Sequence, residues 1–371
     1  MKKKLAIIRA DDSQLPFVVK AKEMGIETHC FAWDKEGYTH CKGIADYFHP
    51  ISILDREQIL EKCKELKIAG VITKSDNAVA TVAFVAEGMG LVGNRYEDML
   101  IASDKYKAHQ AMLKKGVNSP RFAIAKKGQM PDLVGFKYPL VVKPTDRKGS
   151  IGVVKINTEA VLMEAIQNAQ QLSYSGQAVV EEFAAGTPII AAQCVSWKGK
   201  HHIVSIDDSE ELEDSFYKTA YHHPASLNDE EKNKTISEVK KALDALNFIN
   251  GASEVEFILT TDGDIKIIEV NPRMAGETEH LMAELSTGYD LAKGAINIAL
   301  NNFEEPVLTI NKCSGLYYLR KETEYLRSII ENSENDPEII EAVVYKREFS
   351  TGELGHLIYQ SDRKRSWKPQ L

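Results

Sequence analysis

The chain has 371 residues, 43% of them hydrophobic, enough to bury a sizeable core and to exclude disordered and fibrous classes. Its 46 Lys plus Arg against 54 Asp plus Glu leave a net charge of −8, without the basic excess that drives nucleic-acid binding, so small molecules are the expected partners. The longest apolar stretch, residues 78–86, is broken by Thr81 and falls far short of the roughly 20 residues a membrane helix requires, so no membrane partner is expected.

Residues 1–4 are charged and lead into a short apolar run without a signal-peptide pattern. The five cysteines (Cys30, Cys41, Cys63, Cys194, Cys313) are odd in number, scattered and never in a CxxC pair, which argues against a disulfide framework and a thiolate metal site. A reducing, cytoplasmic location is expected.

In chain order, residues 5–9 read as a buried strand, 15–24 as a helix stopped at Gly25, and 28–33 as a second strand, a βαβ opening. A helix over 56–66, a strand over 70–73 and an apolar helix after Ser75-Asp76-Asn77 continue the alternation of a doubly wound parallel α/β domain. Gly88-Met89-Gly90-Leu91-Val92-Gly93 matches the GxGxxG dinucleotide fingerprint in letters. That fingerprint must follow a strand, whereas this run follows a helix, so a helix C-cap and a turn are expected. No GxxxxGK(S/T) loop occurs, which excludes the P-loop families.

A new unit begins at Ser103-Asp104-Lys105, on a helix running to Leu113. A strand over 138–143 ending in Lys143, a polar loop over 144–152 and a strand over 153–156 suit a hairpin lid. A helix over 159–172 and strands over 178–183 and 189–197 complete a small mixed subdomain. Residues 207–214 hold six acids in eight positions and read as a solvated loop. A helix begins near Ser226, whose spacing to Asp229 resembles a capping box, with apolar positions at Ile236, Val239, Leu243 and Leu246.

Residues 253–273 carry the most chemistry. Two alternating strands flank Asp262-Gly263, a hairpin turn signal, and a turn centred there sets Glu256 opposite Glu269. Opposed carboxylates destabilise a sheet unless something neutralises them. Asn271 emerges on the same face, and two carboxylates with an amide oxygen suit Mg²⁺, which completes its shell with water and nucleotide phosphates. Alternate glutamates on a strand also mark a solvated sheet face. Arg273 beside them suits a fork on phosphate or carboxylate oxygens.

These residues resemble the ATP-grasp superfamily, in the family's order and over nearly the whole chain. The resemblance implies that Lys105 and Lys143 bind ATP phosphates and that the loop 146–152, with Lys148, Gly149, Ser150 and Gly152, closes over them. It implies an adenine hinge at Val180-Glu181-Glu182-Phe183 and a Mg²⁺ or Mn²⁺ set of Glu256, Glu269 and Asn271. Arg273 then stabilises charge at the reacting centre and, with Lys143, forms the catalytic set. Where the family often has an acidic ribose ligand, this chain reads Gly186-Thr187-Pro188, so no ribose contact is assigned. Met274-Ala275-Gly276-Glu277 also departs from relatives, leaving Glu277 and His280 either lining an acceptor pocket or starting a surface helix, with His222 and His223 as further pocket candidates.

The implied fold class is α/β and α+β: a doubly wound parallel α/β domain (1–100), an ATP-grasp domain (101–310) with a lid at about 115–185 and a mixed-sheet ATP and metal subdomain, and a C-terminal subdomain (311–371). The implied activity is ATP-dependent carboxylate–amine ligation through an acyl phosphate, releasing ADP and phosphate, with amino-acid or dipeptide ligases the nearest branch. A purine-biosynthetic ligase and a silent ATP-binding regulatory module are the alternatives. A homodimer is the family-level expectation. Strands over 314–319 and around Val343 and Leu357, with a helix over 323–330, fit the closing subdomain, and the basic end, residues 363–368, reads as a solvated tail.

Overall fold

Four consecutive apolar residues, Leu5, Ala6, Ile7 and Ile8, are fully buried because β1 (Lys4–Ile8) is an inner strand of a parallel sheet covered on both faces. The structure, a computed structural model, describes residues 2–212, 215–276, 278–345 and 352–367. β2 (Glu27–Phe31), β3 (Tyr47–His49) and β4 (Gly70–Ile72) complete this sheet in the order β3-β2-β1-β4. Helices α1 (Leu15–Glu23), α2 (Arg56–Leu66) and α3 (Val79–Met89) cover it. Gly90 ends α3 at φ 65°, and a Cβ on Gly93 would lie 2.8 Å from Ala86 Cβ, so the GxGxxG letters are a helix cap and a packing contact.

A helix that the sequence reading passed over, α4 (Tyr96–Ala102), precedes α5 (Lys105–Lys114), whose N-cap Asp104 accepts from the Lys107 N–H. The second sheet, β5 (Phe122–Ala125), β6 (Leu140–Pro144), β7 (Val154–Ile156) and β8 (Ala178–Glu182), is antiparallel in the order β5-β8-β6-β7 and carries α6 (Leu162–Leu172). The strand near 189–197 does not join this small unit, as the sequence reading expected. It is β9 (Ile190–Trp197) of a third, eight-stranded sheet, pairing with β12 and β10.

That sheet contains β10 (Lys200–Glu211), β11 (Lys218–His223), β12 (Gly251–Leu259), β13 (Ile265–Asn271), β14 (Cys313–Leu319), β15 (Ile339–Val344) and β16 (Gly355–Ser361), in the order β13-β12-β9-β10-β11-β14-β16-β15. Its pairings are all antiparallel, so among the described residues parallel pairing is confined to the N-terminal sheet. Helices α7 (Asp229–Ala245), α8 (Glu279–Thr287), α9 (Leu291–Ala299) and α10 (Leu326–Glu331) flank it. The buried face of α9 ties the N-terminal sheet to the large one. A Cβ on Gly70 of β4 would come within 2.7 Å of the Ala299 carbonyl oxygen. Among the described residues no helix is long and apolar enough to cross a membrane.

Three expectations are corrected here. The acidic run is not a solvated loop over its described part: Asp207, Asp208, Glu210 and Glu211 lie in β10, while Glu213 and Asp214 fall outside the described residues. Asp207 is buried against His223 Nδ1 (2.9 Å), and Glu210 meets His222 Nε2 at 3.1 Å. The capping box of α7 is Asn228 with Glu231, two residues beyond the Ser226 and Asp229 pair, because Ser226 instead donates to Asp208. The basic end is docked over its described part, with Trp367 edge-on to Tyr317 and Tyr359, and Arg365 paired with Asp336 and Glu338.

Gly186 bridges to Thr260, and a Cβ there would sit 2.1 Å from the Leu259 carbonyl oxygen, an approach open only to glycine. Gly186→Ala is therefore expected to destabilise the chain by about 1–3 kcal/mol, read as a lowered urea midpoint. An unchanged midpoint would show that the strand can give way.

Candidate active site

The hairpin of β12 and β13 closes through Thr260 N–H to Asp264 O (2.8 Å) and Gly263 N–H to Thr260 O (2.9 Å). Near the turn Ile258 faces Lys266, a register one residue off the expected one, and a bulge between Glu256 and Phe257 then restores it. Glu256 faces Glu269, as the sequence reading expected, and Glu254 faces Asn271. The bulge thus cancels the one-residue error in the assumed turn.

β13 runs directly into Pro272-Arg273. The Arg273 guanidinium donates to Glu254 Oε2 (2.6 Å) and, through Nε and Nη2, to both oxygens of Asp76 (3.1 and 3.4 Å). Asp76 belongs to the segment after β4, so the N-terminal unit contributes directly to this centre. Lys105, the first residue of α5, donates to Glu269 Oε1 (3.0 Å) and to the Arg147 carbonyl (2.6 Å). Lys148, from the loop between β6 and β7, touches the same Glu269 oxygen and donates to Asn271 Oδ1 at 2.9 Å. Ser150, held at φ 58°, donates to Phe216 O (3.2 Å), which fastens the loop to the segment before β11.

Charge explains the balance of the cluster. Burial alone would raise the Glu269 carboxyl, but the ammonium groups of Lys105, Lys148 and Lys143 outweigh it and hold Glu269 well below the usual carboxylate range. Burial pushes Glu256 the other way, up to about 7, helped by Glu254 and Glu269. Burial also draws Lys105 down to about 8. For Arg273 burial is outweighed by Asp76 and Glu254, so it stays charged.

Lys143, on β6, pairs with Glu181 Oε1 at 2.8 Å, and His109 Nε2 lies 2.9 Å from the same atom. Burial opposes the Glu181 charge, yet Lys143 and His109 outweigh it and draw the carboxyl from the ordinary 4.5 to about 2. Because the folded value lies below the unfolded one, this group's contribution to stability is present above pH 4.5 and is lost as the pH falls toward 2. The thermal midpoint of Glu181→Gln is expected to fall less steeply over that window than that of the parent chain. Parallel profiles would show that Glu181 is not the group responsible.

Except for Asp76 and His109, these charged side chains line one cleft of about 300 Å³ between the second and third sheets. Of the residues singled out from the sequence, Lys105, Lys143, Lys148, Gly149, Ser150, Glu181, Glu182, Phe183, Glu256, Glu269, Asn271 and Arg273 line it. Gly152 does not; its Cβ would run into Leu172 and Pro144, so it serves packing of its loop against α6 and β6. At the expected hinge, the Glu182 and Phe183 N–H groups already donate to Arg121 O (2.9 Å) and Pro139 O (3.0 Å), so their hydrogen-bonding capacity is spent within the fold. Beyond them an apolar slot is walled by Val141, Val153, Phe183, Ile189, Ile258 and Ile268. His222 and His223 turn away from the cleft toward Glu210, Tyr359 and Asp207, which corrects their place as pocket candidates. His280 lies 3.4 Å from Lys74 Nζ, and Glu277 falls outside the described residues.

The sequence reading did not assign Glu254, Asp76, Glu279, Tyr221 and Tyr318. Glu254 carried a signal, since it shares a strand face with Glu256 two residues away. A Ser-His-Asp series also occurs away from the cleft. Ser196, His201 and Asp244 touch in order (2.7 and 3.1 Å), but Ser196 is fully buried inside β9 and cannot meet a substrate.

The donor set fits a divalent cation that also leans on phosphates. Among the described residues no three His, Cys, Asp or Glu side chains form a metal cage, and two carboxylates with one amide would leave about half of an octahedral shell to water and phosphate oxygens. The Lys148 ammonium bridges Glu269 and Asn271, so these oxygens already accept cationic charge between them.

Residues 136–280 match the ATP-grasp domain family. The chain is 26% identical over 267 residues to the carbamoyl phosphate synthase large chain of Thermoanaerobacter sp. (strain X514), across 68% of this chain and 24% of that one. It is 26% identical over 302 residues to the alanine–anticapsin ligase of Bacillus amyloliquefaciens, across 70% of this chain and 62% of the ligase. The chain thus spans about a quarter of the first relative's length and under two thirds of the second's. Among solved structures, the L-amino acid ligase of Bacillus licheniformis superposes with a TM-score of 0.79 at 23% identity, covering 98% of this chain and 94% of that one. N5-carboxyaminoimidazole synthetase of Staphylococcus aureus, complexed with ADP, superposes with a TM-score of 0.80 at 15% identity, covering 98% and 95%. Residues 136–280 thus match an ATP-grasp domain across the cleft, and the chain shares the fold of these solved structures along nearly its whole length.

Proposed function

We propose that the chain is an ATP-dependent carboxylate–amine ligase that forms an amide or peptide bond through an acyl phosphate and releases ADP and phosphate. One observation carries this reading: Lys105, Lys148 and Arg273 converge with Glu269, Glu256 and Asn271 in a single cleft beside an apolar slot. Phosphoryl transfer depends on positioning and neutralisation of charge, which such a cluster supplies without a protein nucleophile.

In this reading the apolar slot holds the base of ATP, and Lys105 and Lys143 hold its phosphates. The 146–152 loop, carrying Lys148, Gly149 and Ser150, covers them and excludes the water that would hydrolyse an acyl phosphate. Glu256, Glu269 and Asn271 would hold Mg²⁺ or Mn²⁺, which neutralises phosphate charge when bound. Arg273, fixed from behind by Asp76 and Glu254, presents its guanidinium to the oxyanion that develops at the acyl carbon. The alanine–anticapsin ligase and L-amino acid ligase likenesses favour an amino acid or peptide as carboxylate. Cytoplasmic location is part of the same proposal and is supported by five unpaired cysteines. A homodimer, carried over from the superfamily, is checked by sedimentation.

The test is ADP release with Mg-ATP across single and paired amino acids, purine intermediates and bicarbonate. Release requiring one carboxylate and one amine supports the ligase reading. ADP release driven by bicarbonate alone would overturn it.

A further inference from the structure

Past Arg273, at the end of the cleft opposite the apolar slot, the lining changes character. Glu279, Tyr318, Tyr221, Glu254 and Glu256 meet there beside Gly276. Glu254 is neutralised by Arg273, and Arg320, which also reaches this end, is paired with Glu353. Glu279 differs. It is the first residue of α8, is nine-tenths buried, and has only neutral donors: the Gly276 N–H at 3.0 Å on Oε2 and the Tyr318 hydroxyl at 3.5 Å on Oε1. Among the described residues it makes no ion pair.

A buried carboxylate is costly unless a cation meets it. Here burial, with Glu254 adding to it, pushes the Glu279 carboxyl up to about 8, against the pull of Arg273 and Lys74. Backbone room is also spent on it: a Cβ on Gly276 would stand 3.0 Å from Glu279 Oε2. The two tyrosines lie edge to face, 6.5 Å apart, beside the carboxylate. A carboxylate with aromatic rings next to it is the chemistry that recognises an ammonium group.

We propose that Glu279, with Tyr318 and Tyr221, docks the protonated amine of the acceptor substrate, so that the substrate class is a primary amine that arrives as an ammonium ion. This rests on the ligase reading above and assigns the amine end of that reaction. Arg273 lines the same cleft, and the docked ammonium becomes a nucleophile when it passes one proton to the Glu279 carboxylate, which frees the nitrogen lone pair for the acyl carbon while phosphate leaves.

The experiment compares two nucleophiles with the carboxylate selected by the substrate panel: the selected amine, charged at neutral pH, and hydroxylamine, which is largely uncharged there and traps an acyl phosphate as a hydroxamate. In Glu279→Gln, which keeps an oxygen for the Gly276 N–H, KM for the amine is expected to rise about 10²-fold, the scale of removing one partner of a buried charge pair. KM for hydroxylamine should move far less, and Tyr318→Phe should shift the amine KM in the same direction by a smaller factor. Equal losses for both nucleophiles, or an amine KM that does not move, would overturn the assignment and return Glu279 to a helix-capping role. Should Glu279→Gln fail to fold, Tyr318→Phe and Glu279→Asp carry the same comparison. A parent chain that forms no hydroxamate with ATP and carboxylate would instead overturn the ligase reading, and the assignment with it.

Discussion

Glu269→Gln is expected to lower ATP-dependent turnover by about 10²–10³-fold, the cost of removing one preorganised electrostatic group from a transition state in which charge moves between phosphates. Glu269 carries the acceptor oxygen on which Lys105 and Lys148 both converge, and it faces Glu256 across the hairpin. The amide keeps the volume but leaves two ammonium groups on a neutral partner and removes a ligand charge from the proposed cation set. The loss should appear in kcat with ATP saturating, while circular dichroism and the thermal midpoint show a folded chain. Turnover comparable to that of the parent would remove the carboxylate pair from the mechanism.

Arg273→Ala is expected to cost stability as well as activity. The guanidinium is the cation on buried Glu254 and the nearer of two on partly buried Asp76, which also has Lys148 at 3.9 Å, so its removal strands Glu254 and loosens the hold on Asp76. Breaking a buried pair from one side costs about 3–5 kcal/mol, which a lowered urea midpoint measures. Arg273→Lys restores one charge but not the fork on Asp76, so it should recover part of the stability and little of the turnover. A midpoint equal to that of the parent would mean that Asp76 and Glu254 find other partners, and Arg273 would no longer be the joint between the N-terminal sheet and the reaction centre.

Much of the candidate site was legible because it lies on one hairpin, where a turn signal and a period of two place side chains locally. Glu256 opposite Glu269 came from that arithmetic, although the turn closes one residue away and a bulge makes up the difference. A bulge leaves no reliable mark in a single sequence. Asp76 was read only as part of a helix start, because its reach to Arg273 depends on α9 packing the N-terminal sheet against the large one. The acidic run in β10 was misread for a related reason. Its charges are matched by His222, His223, Lys218 and Lys364, which arrive only when β11 pairs alongside and the C-terminal segment folds back. Glu279 likewise gains its meaning from Tyr318, brought to it by β14.

The central claim, that a carboxylate is activated by phosphorylation in this cleft, is tested most directly with the selected carboxylate labelled in both oxygens with ¹⁸O. The account predicts that each amide formed delivers one labelled oxygen to inorganic phosphate, because the bond broken on amine attack joins the acyl carbon to that oxygen. Phosphate without label, alongside amide product, would contradict it.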